Sequence, residues 1–449
     1  RVVFHSIPPL WSFPCRAAYS RDLDNLWLAG RLMSCSHIAL GTVRLMRTLG
    51  AVAQGIGTAV AVARERRCTA REAATSHMTE IQQRLLRQDG SLLNTVNEDP
   101  ADLARTARIG ASSERRFGVE RCHAFRPLDV PRGVQLWHWP AALERVAFYV
   151  RNRSGTTQTV ALRVQAATPS RPWKAPSEHV PFRHLTSAPN RMEWGSDNRR
   201  SRFAEVLRSQ ATMDAGFEGW LSFPCSGTAT LPEPDPASDE PRVNLLLDAC
   251  TGVDLALEPR GRDVALRLWD DGCGDACGVH GDCHAFRVYP SPQYGEAANV
   301  ANGINRRFST NPVNAWLSDP ADGMPQWLEL ALPEPREVCC VQVTFDSIER
   351  GFRDAPINCG ERYARRLVKS YRLEVKDDHG WRVVAREESN TQRWRVHTFP
   401  AVRTACLRLW VEAVRDPRYG ARVYEIRAYG PEAPPPVRGV ADIAPRCSE

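Results

Sequence analysis

No apolar run in this chain is long enough to cross a bilayer. The longest, Leu49 to Ala63, is about fifteen residues against the roughly twenty a spanning helix needs, contains Gln54, and follows Arg44 and Arg47. A charged leader followed by an apolar core is also missing; the chain does not begin with Met, so any signal peptide would lie upstream of residue 1. There is no G-x-S-x-G, H-E-x-x-H or Walker sequence, which leaves hydrolase and phosphoryl-transfer chemistry without a foothold. Nor is there a dominant charge. The net +7 is modest for 449 residues and is spread along the chain, whereas a nucleic-acid binder should cluster its basic residues on one face.

What the chain does have is length for roughly three domains, and fourteen cysteines. The cysteines are scattered and lack the regular framework of a small secreted domain, so the redox compartment, and with it the localisation, stays open.

The pattern along the chain divides it. From His37 to Arg67 apolar residues recur with helical spacing (Leu40, Val43, Leu49, Val52, Ile56, Val60), interrupted by Gly50, Gly55 and Gly57. Each glycine costs a helix about 1 kcal/mol relative to alanine, so three together predict close approach by another backbone or a ligand. Thr69 and Glu72 have capping-box spacing, and Ile81, Leu85 and Leu86 give the next helix an apolar stripe that Gly90 ends.

After about residue 110 the period changes from 3.6 to 2. Val146 to Val150, a turn at Asn152 to Gly155, then Val160, Leu162 and Val164 read as a hairpin, with further strands at 216–223, 243–247 and 264–269. A second β block has strands at 327–332, 338–345, 371–375, 381–385, 395–399, 405–411 and 423–429. The expected fold is mixed and mostly β: a helical piece at 1–110, antiparallel β-sandwiches at 111–268 and 294–430, a Cys/His-rich linker at 269–293 and a disordered tail at 431–449.

In that linker Cys273, Cys277, His280, Cys283 and His284 form C-x3-C-x2-H-x2-C-H, with glycines that would let the loop fold around zinc. The spacing matches no known zinc motif, and a disulfide within the loop or unpaired thiols fit it equally well.

Two resemblances add to this reading. The text R-D-L-D-N-L-W-L-A-G-R at 21–31, then S-x-x-H-x-A-L-G-T-V-R at 34–44, then A-Q-G-I-G-T-A, resembles the C-terminal part of the FAD domain of a family of FAD-dependent oxidoreductases. Ile7-Pro8 and Cys15-Arg16-Ala17 resemble the segment that leads into it, and the match covers roughly residues 4 to 90.

The resemblance implies an α/β FAD-binding domain of which 1–110 is the helical C-terminal remnant. It also implies that Gly30 and Arg31 meet the cofactor's ribityl or pyrophosphate portion, that the helix start around Ala39, Leu40 and Gly41 faces the isoalloxazine, and that Ser34, His37 and Arg44 line the site. A reduced flavin carries negative charge, which a helix N-terminus can meet with free N–H groups and its dipole. His37 reads as a proton-transfer group or as a helix cap, and Arg44 as a site residue or a surface cation. One departure matters. No G-x-G-x-x-G follows a strand, and that motif holds the FAD pyrophosphate. The expectation is a piece of a longer flavoenzyme that cannot complete the site alone.

The block from Asn299 to Tyr429 resembles a galactose-binding-like, or discoidin-like, sandwich. The resemblance rests on Asn299-Val300, Gly303, Trp316, Ser318, Q-W-L-E-L-A-L, Y-R-L-E-V-K-D-D-H-G-W and V-Y-E-I-R-A-Y-G. Trp316, Trp327, Trp381 and Trp394 are candidates to stack on a sugar, or they pack the sandwich.

The expected function is the C-terminal portion of an FAD-dependent oxidoreductase, whose whole passes a hydride from an unknown small-molecule or carbohydrate substrate to flavin, with no nucleic-acid partner and no membrane span. The alternative is a non-catalytic carbohydrate- or protein-binding sandwich protein.

Overall fold

The computed structural model describes residues 12–90, 92, 95–115, 117–119, 124–137, 142–168, 202–225, 242–258, 267–269, 283–291, 294–306, 314–347 and 366–433. They fold as two units, one over Arg116–Tyr294 and one that joins Leu10–Arg115 to Gly295–Glu449.

The first unit holds two antiparallel sheets. One has seven strands, and Arg145–Asn152 is its hub: Glu218–Pro224 pairs along it on one side, while Phe286–Tyr289 and Val253–Glu258 share the other. Side chains alternate across a sheet, and the inward row of the hub, Val146, Phe148 and Val150, is fully buried. The second sheet has five strands, with Arg242–Leu247 between Arg132–Trp137 and Gln158–Thr168. Val134, Leu136, Leu162, Val164, Val243 and Leu245 form its buried row. Gly133 sits so close to the Leu245 carbonyl that a Cβ would collide with it.

Two boundaries differ from the sequence expectation. Cys283–His284 and Phe286–Tyr289, expected as linker, are strands of the seven-stranded sheet, and Phe286 lies opposite Phe148 in its middle. At the other end, Arg108–Ala111 pairs with Ala331–Leu328 and so belongs to the second unit. Both pairings join segments more than a hundred residues apart, and local periodicity carries no such information.

In the second unit, two long strands run through both layers of a sandwich. Gln326–Phe345 and Trp394–Val414 pair antiparallel from Gln326 with Val411 to Thr344 with Trp394. Four alternate positions of the first, Gln326, Leu328, Leu330 and Leu332, are buried, then residues 333–337 are all exposed, then burial resumes at Val338. Pro333 and Pro335 fall in that exposed stretch and cannot donate to the ladder. Pro400 falls at a second register shift a few residues on, between the Val402 and Thr398 pairings with Val338 and Cys340. The ribbon bends there, so sequence reading divides each strand in two. One half carries Val368–Asp377 and Gly380–Glu387, and the other carries Arg422–Tyr429 and Trp316–Leu317. Trp316, Phe345, Tyr371, Leu328 and Val343 lie in the core between the layers.

Four helices precede the sandwich: α1 (His37–Val43), α2 (Met46–Arg66), α3 (Ala70–Ser76) and α4 (Met78–Arg87). The single helix expected from His37 to Arg67 is broken at Arg44 and Leu45. The capping box is formed in full, with Thr69 Oγ1 accepting from the Glu72 amide at 3.1 Å and Glu72 Oε2 accepting from the Thr69 amide at 2.8 Å. Ala59, Val62, Ala63, Ala73 and Ile81 make the helical core, with Trp27 and Cys68 packed against it. Among the described residues no helix is long and apolar enough to cross a membrane.

Candidate functional site

The segment that leads to the candidate site is tied down by backbone hydrogen bonds. Ser20 N–H donates to Leu26 O at 2.9 Å, Leu28 N–H to Ala18 O at 2.7 Å and Ser34 N–H to Ala17 O at 2.9 Å. Around Asp24 to Ala29 the described residues hold one isolated bridge, between Tyr19 and Trp27. Those two rings meet edge to face at 6.0 Å, and Trp27 anchors the loop on the helical core.

Gly30 opens a short 3-10 turn, Gly30–Leu32, at φ +65°. A Cβ there would meet nothing within 4 Å, so the glycine serves backbone conformation rather than local space. Arg31, Ser34, His37, Ala39, Gly41 and Arg44 are exposed and Leu40 is half-buried. Ser36 caps α1: its Oγ accepts from the Ala39 amide at 3.3 Å, and its carbonyl accepts from Leu40 at 2.9 Å. Those two amides, expected to face a flavin, are thus engaged within the helix start.

The helix glycines were expected to mark close approach. Among the described residues none of them shows it: a Cβ added at Gly55 would make only an ordinary contact, 3.9 Å from Leu85 Cδ2, and one at Gly41, Gly50 or Gly57 would meet nothing within 4 Å. Large apolar side chains are exposed in the same region. Leu23, Leu26, Leu32, Leu45, Met46 and Val60 are six of the eight such residues in the described chain, with Met46 84% exposed. A solvated surface rarely concentrates apolar side chains in this way. The candidate residues therefore fit a cofactor as one wall, with a permissive turn and two cations, but they do not enclose one.

Cys273, Cys277 and His280 lie outside the described residues. Cys283 and His284 are buried opposite Glu258 and Leu257, with His284 Nδ1 3.4 Å from Ala256 O. No three His, Cys, Asp or Glu side chains gather as a metal site among the described residues.

Of the tryptophans, Trp316 is fully buried and donates through Nε1 to Ser113 O at 2.9 Å, which makes it a packing residue. Trp327 is half-buried opposite Trp410, Trp381 lies under the Arg408 guanidinium at 3.8 Å, and Trp394 is half-buried.

Sequence reading missed a buried polar layer where the helical segment meets the sandwich. Asp102 Oδ1 accepts from Ala104 N–H at 3.1 Å and Ala428 N–H at 3.0 Å, and its Oδ2 accepts from Asn97 Nδ2 at 2.7 Å. Arg427 Nε pairs with Glu425 Oε2 at 2.9 Å, and both side chains are no more than 5% exposed. Burial, partly offset by hydrogen bonds and Arg427, raises the Asp102 carboxyl to about 6. Burial, offset by the same arginine, raises Glu425 to about 7. The signal was present, since Glu425, Arg427 and Tyr429 alternate along one strand, but that pattern reads as a solvent face.

The fold thus defines a helical segment built onto one β-sandwich and a second sandwich unit. The profile of the FAD dependent oxidoreductase family matches residues 1–85 of the chain. In fold, part of the chain is similar to the family 32 carbohydrate-binding module of Streptococcus pneumoniae EndoD. That match has 20% identity and a TM-score of 0.25, over 32% of this chain and 90% of that one. Another is chitosan-binding module 1 of a Paenibacillus sp. IK-5 chitosanase/glucanase, with 22% identity and a TM-score of 0.22, over 31% and 88%. A third is the family 32 module of Clostridium perfringens NanJ, solved with galactose, with 17% identity and a TM-score of 0.20, over 26% and 75%. These likenesses concern fold alone. A comparison with curated proteins gave no match.

Proposed function

We propose that the described residues of the opening segment form one wall of the flavin site of an FAD-dependent oxidoreductase, and that the sandwiches are its accessory, substrate-presenting modules. The observation that carries this reading is the family match over residues 1–85, a range that includes Gly30, Arg31, Ser34, His37, Gly41 and Arg44. When bound, FAD supplies the two-electron acceptor that takes a hydride from substrate.

The chain's own residues hold and orient. Gly30, at positive φ, keeps the turn free of a side chain, so that backbone can approach a polar group closely. Arg31 and Arg44 offer positive charge to an anionic cofactor. His37 is exposed at the first position of α1 and can exchange a proton with solvent or substrate. The exposed apolar side chains between Leu23 and Val60 would exclude water once covered. The glycine motif for the pyrophosphate is not among these 449 residues, so that half of the site must come from polypeptide outside them.

Absorbance and FAD titration test this. The purified chain alone is expected to be colourless. Fused behind the dinucleotide-binding half of a family member it should acquire the visible flavin band, and Gly30→Val should remove it. A stoichiometric flavin on the chain alone would overturn the one-wall assignment, and a fusion that folds but takes up no flavin would overturn the whole reading.

A further inference from the structure

In the second unit, the chain around the end of α4 lies on a sandwich face that is polar and yet buried. Glu425, Arg427 and Tyr429 alternate along the strand Arg422–Tyr429, and the neighbouring strand places Thr344, Gln342 and Cys340 opposite them in turn. All six are buried. The helical segment supplies the cover. Asp89, just past α4, pairs with Arg393 at 2.9 Å and accepts from Thr344 Oγ1 at 3.4 Å, and Arg87 lies over the Tyr429 ring at 4.3 Å. Further on, Asn97 N–H donates to Gly303 O at 2.8 Å, and Asp102 accepts from the Ala428 amide at 3.0 Å.

The two most deeply buried carboxylates of this seam are not equally provided for. Asp102 receives three donors, the amides of Ala104 and Ala428 and the side chain of Asn97, a set that stabilises an ionised group. Glu425 receives one, Arg427 Nε at 2.9 Å, and its Oε1 meets no hydrogen-bond partner among the described residues. Asp102 and Asp89 both oppose a negative charge on Glu425, while Arg427 favours it, and burial outweighs them all, raising the carboxyl to about 7. The other groups facing it leave the titration to these carboxylates. Burial pushes the Cys340 thiol up to about 11 and raises the Tyr429 hydroxyl as well, so both stay neutral, and Arg87, Arg393 and Arg427 keep their charge. An ionised Glu425 is thus a charge that the closed seam holds poorly and that water would hold well.

We propose that this seam is a proton-operated latch: a proton on Glu425 keeps residues 95–102 docked on the sandwich, and its loss to water lets them open locally. The device is independent of the flavin reading, since it uses none of the residues assigned to that site. Opening leaves both sides folded. The sandwich side keeps its own ladder, with residues 340–345 paired along 423–429, and the helices keep their own core of Ala59, Val62, Ala63, Ala73 and Ile81. The sign follows from linkage. The closed state binds a proton that the open, hydrated carboxyl releases near 4.5, so closure is favoured most below that pH, weakens as pH rises toward 7 and is level above. Asp102, raised by burial to about 6, works in the same direction over a lower window.

Hydrogen–deuterium exchange of the whole chain tests this, with each rate corrected for the intrinsic exchange rate at its pH. The amides of Asn97 and Ala428, which both donate across the seam, should lose about tenfold in protection between pH 6 and pH 8. A peptide spanning Leu328–Leu332 in the sandwich should keep its protection. Glu425→Gln, which does not ionise, should hold the loss at the seam to about twofold, the share left to Asp102. If that variant does not fold, the wild-type profile decides, because the loss should grow up to about pH 7 and be level above pH 8. Protection that does not change with pH, an equal loss at Leu328–Leu332, the full loss in folded Glu425→Gln, or a loss still growing above pH 8 would each overturn the proposal.

Discussion

Arg393 donates from Nε to Asp89 Oδ2 at 2.9 Å, across 304 residues of chain. Asp89 follows the C-terminus of α4 at φ 60°, and Arg393 directly precedes the sandwich strand Trp394–Val414. Asn305 Nδ2 donates to Asp89 Oδ1 at 3.0 Å, and Arg393 also bonds the Asn305 carbonyl. The helical segment and the sandwich are therefore held by charge at the point where the last helix ends. Burial outweighs the attraction of Arg393 and pushes the Asp89 carboxyl up.

Removal of one partner leaves the other charge partly buried and uncompensated. Asp89→Ala should lower the unfolding free energy of the second unit by about 2–4 kcal/mol, the lower part of the range for broken buried pairs because Arg393 keeps some solvent contact. Urea unfolding would measure it. Asp89→Asn, which keeps the hydrogen bond to Arg393 but not the charge, should lose less, and an equal loss would show that geometry rather than charge holds the junction.

Acid should strengthen the layer around Glu425 rather than weaken it. Burial raises this carboxyl from 4.5 to about 7, against the pull of Arg427, so the folded chain keeps a proton that the unfolded chain has released. Its contribution to stability is greatest below pH 4.5, declines as pH rises toward 7, and is flat above. Asp102, raised from 3.8 to about 6, adds a decline in the same direction over a lower window. Glu425→Gln should remove its part of the slope. Relative to wild type, the variant should gain on the order of 2–3 kcal/mol between pH 4.5 and pH 8, read from urea midpoints at each pH.

Much of the fold was legible because most elements carry their own signal. Thr69 and Glu72 marked a helix start, Ile81, Leu85 and Leu86 a buried stripe, and Leu328 and Leu330 a strand face, and each is found as expected. What failed was information held between distant segments. The pairing of Arg108–Ala111 with residues 328–331 and the cover over Arg427 depend on chain more than 200 residues away. The bends at Pro333, Pro335 and Pro400 look like strand ends because proline interrupts the alternation while the ladder resumes beyond it. At the candidate site, Gly30 announced a conformation that the structure has, whereas Gly50 and Gly57 announced neighbours that the described residues do not supply.

The capping box gives a local test of the helical segment. Thr69 Oγ1 and Glu72 satisfy amides at the start of α3, whose Ala73 lies in the helical core beside Trp27. Thr69→Ala should cost about 1 kcal/mol. Thr69→Ser, which keeps the oxygen, should recover most of it, with thermal unfolding followed by helical circular dichroism as the readout.

The tryptophans separate packing from surface roles. Trp316 is fully buried, and its indole N–H satisfies the Ser113 carbonyl, so Trp316→Ala leaves both a cavity and an unpaired acceptor between the layers. A loss of about 3–5 kcal/mol is expected. Trp316→Phe should recover the packing but not the hydrogen bond, and so retain a deficit of about 1 kcal/mol. Trp381 contrasts with it, since this half-buried ring lies beneath the Arg408 guanidinium outside the core. Trp381→Ala should cost about 1 kcal/mol, the scale of a partly exposed cation–π contact. Comparable losses at Trp316 and Trp381 would mean that the outer face of the sandwich is as tightly packed as its core, contrary to the burial of the two rings.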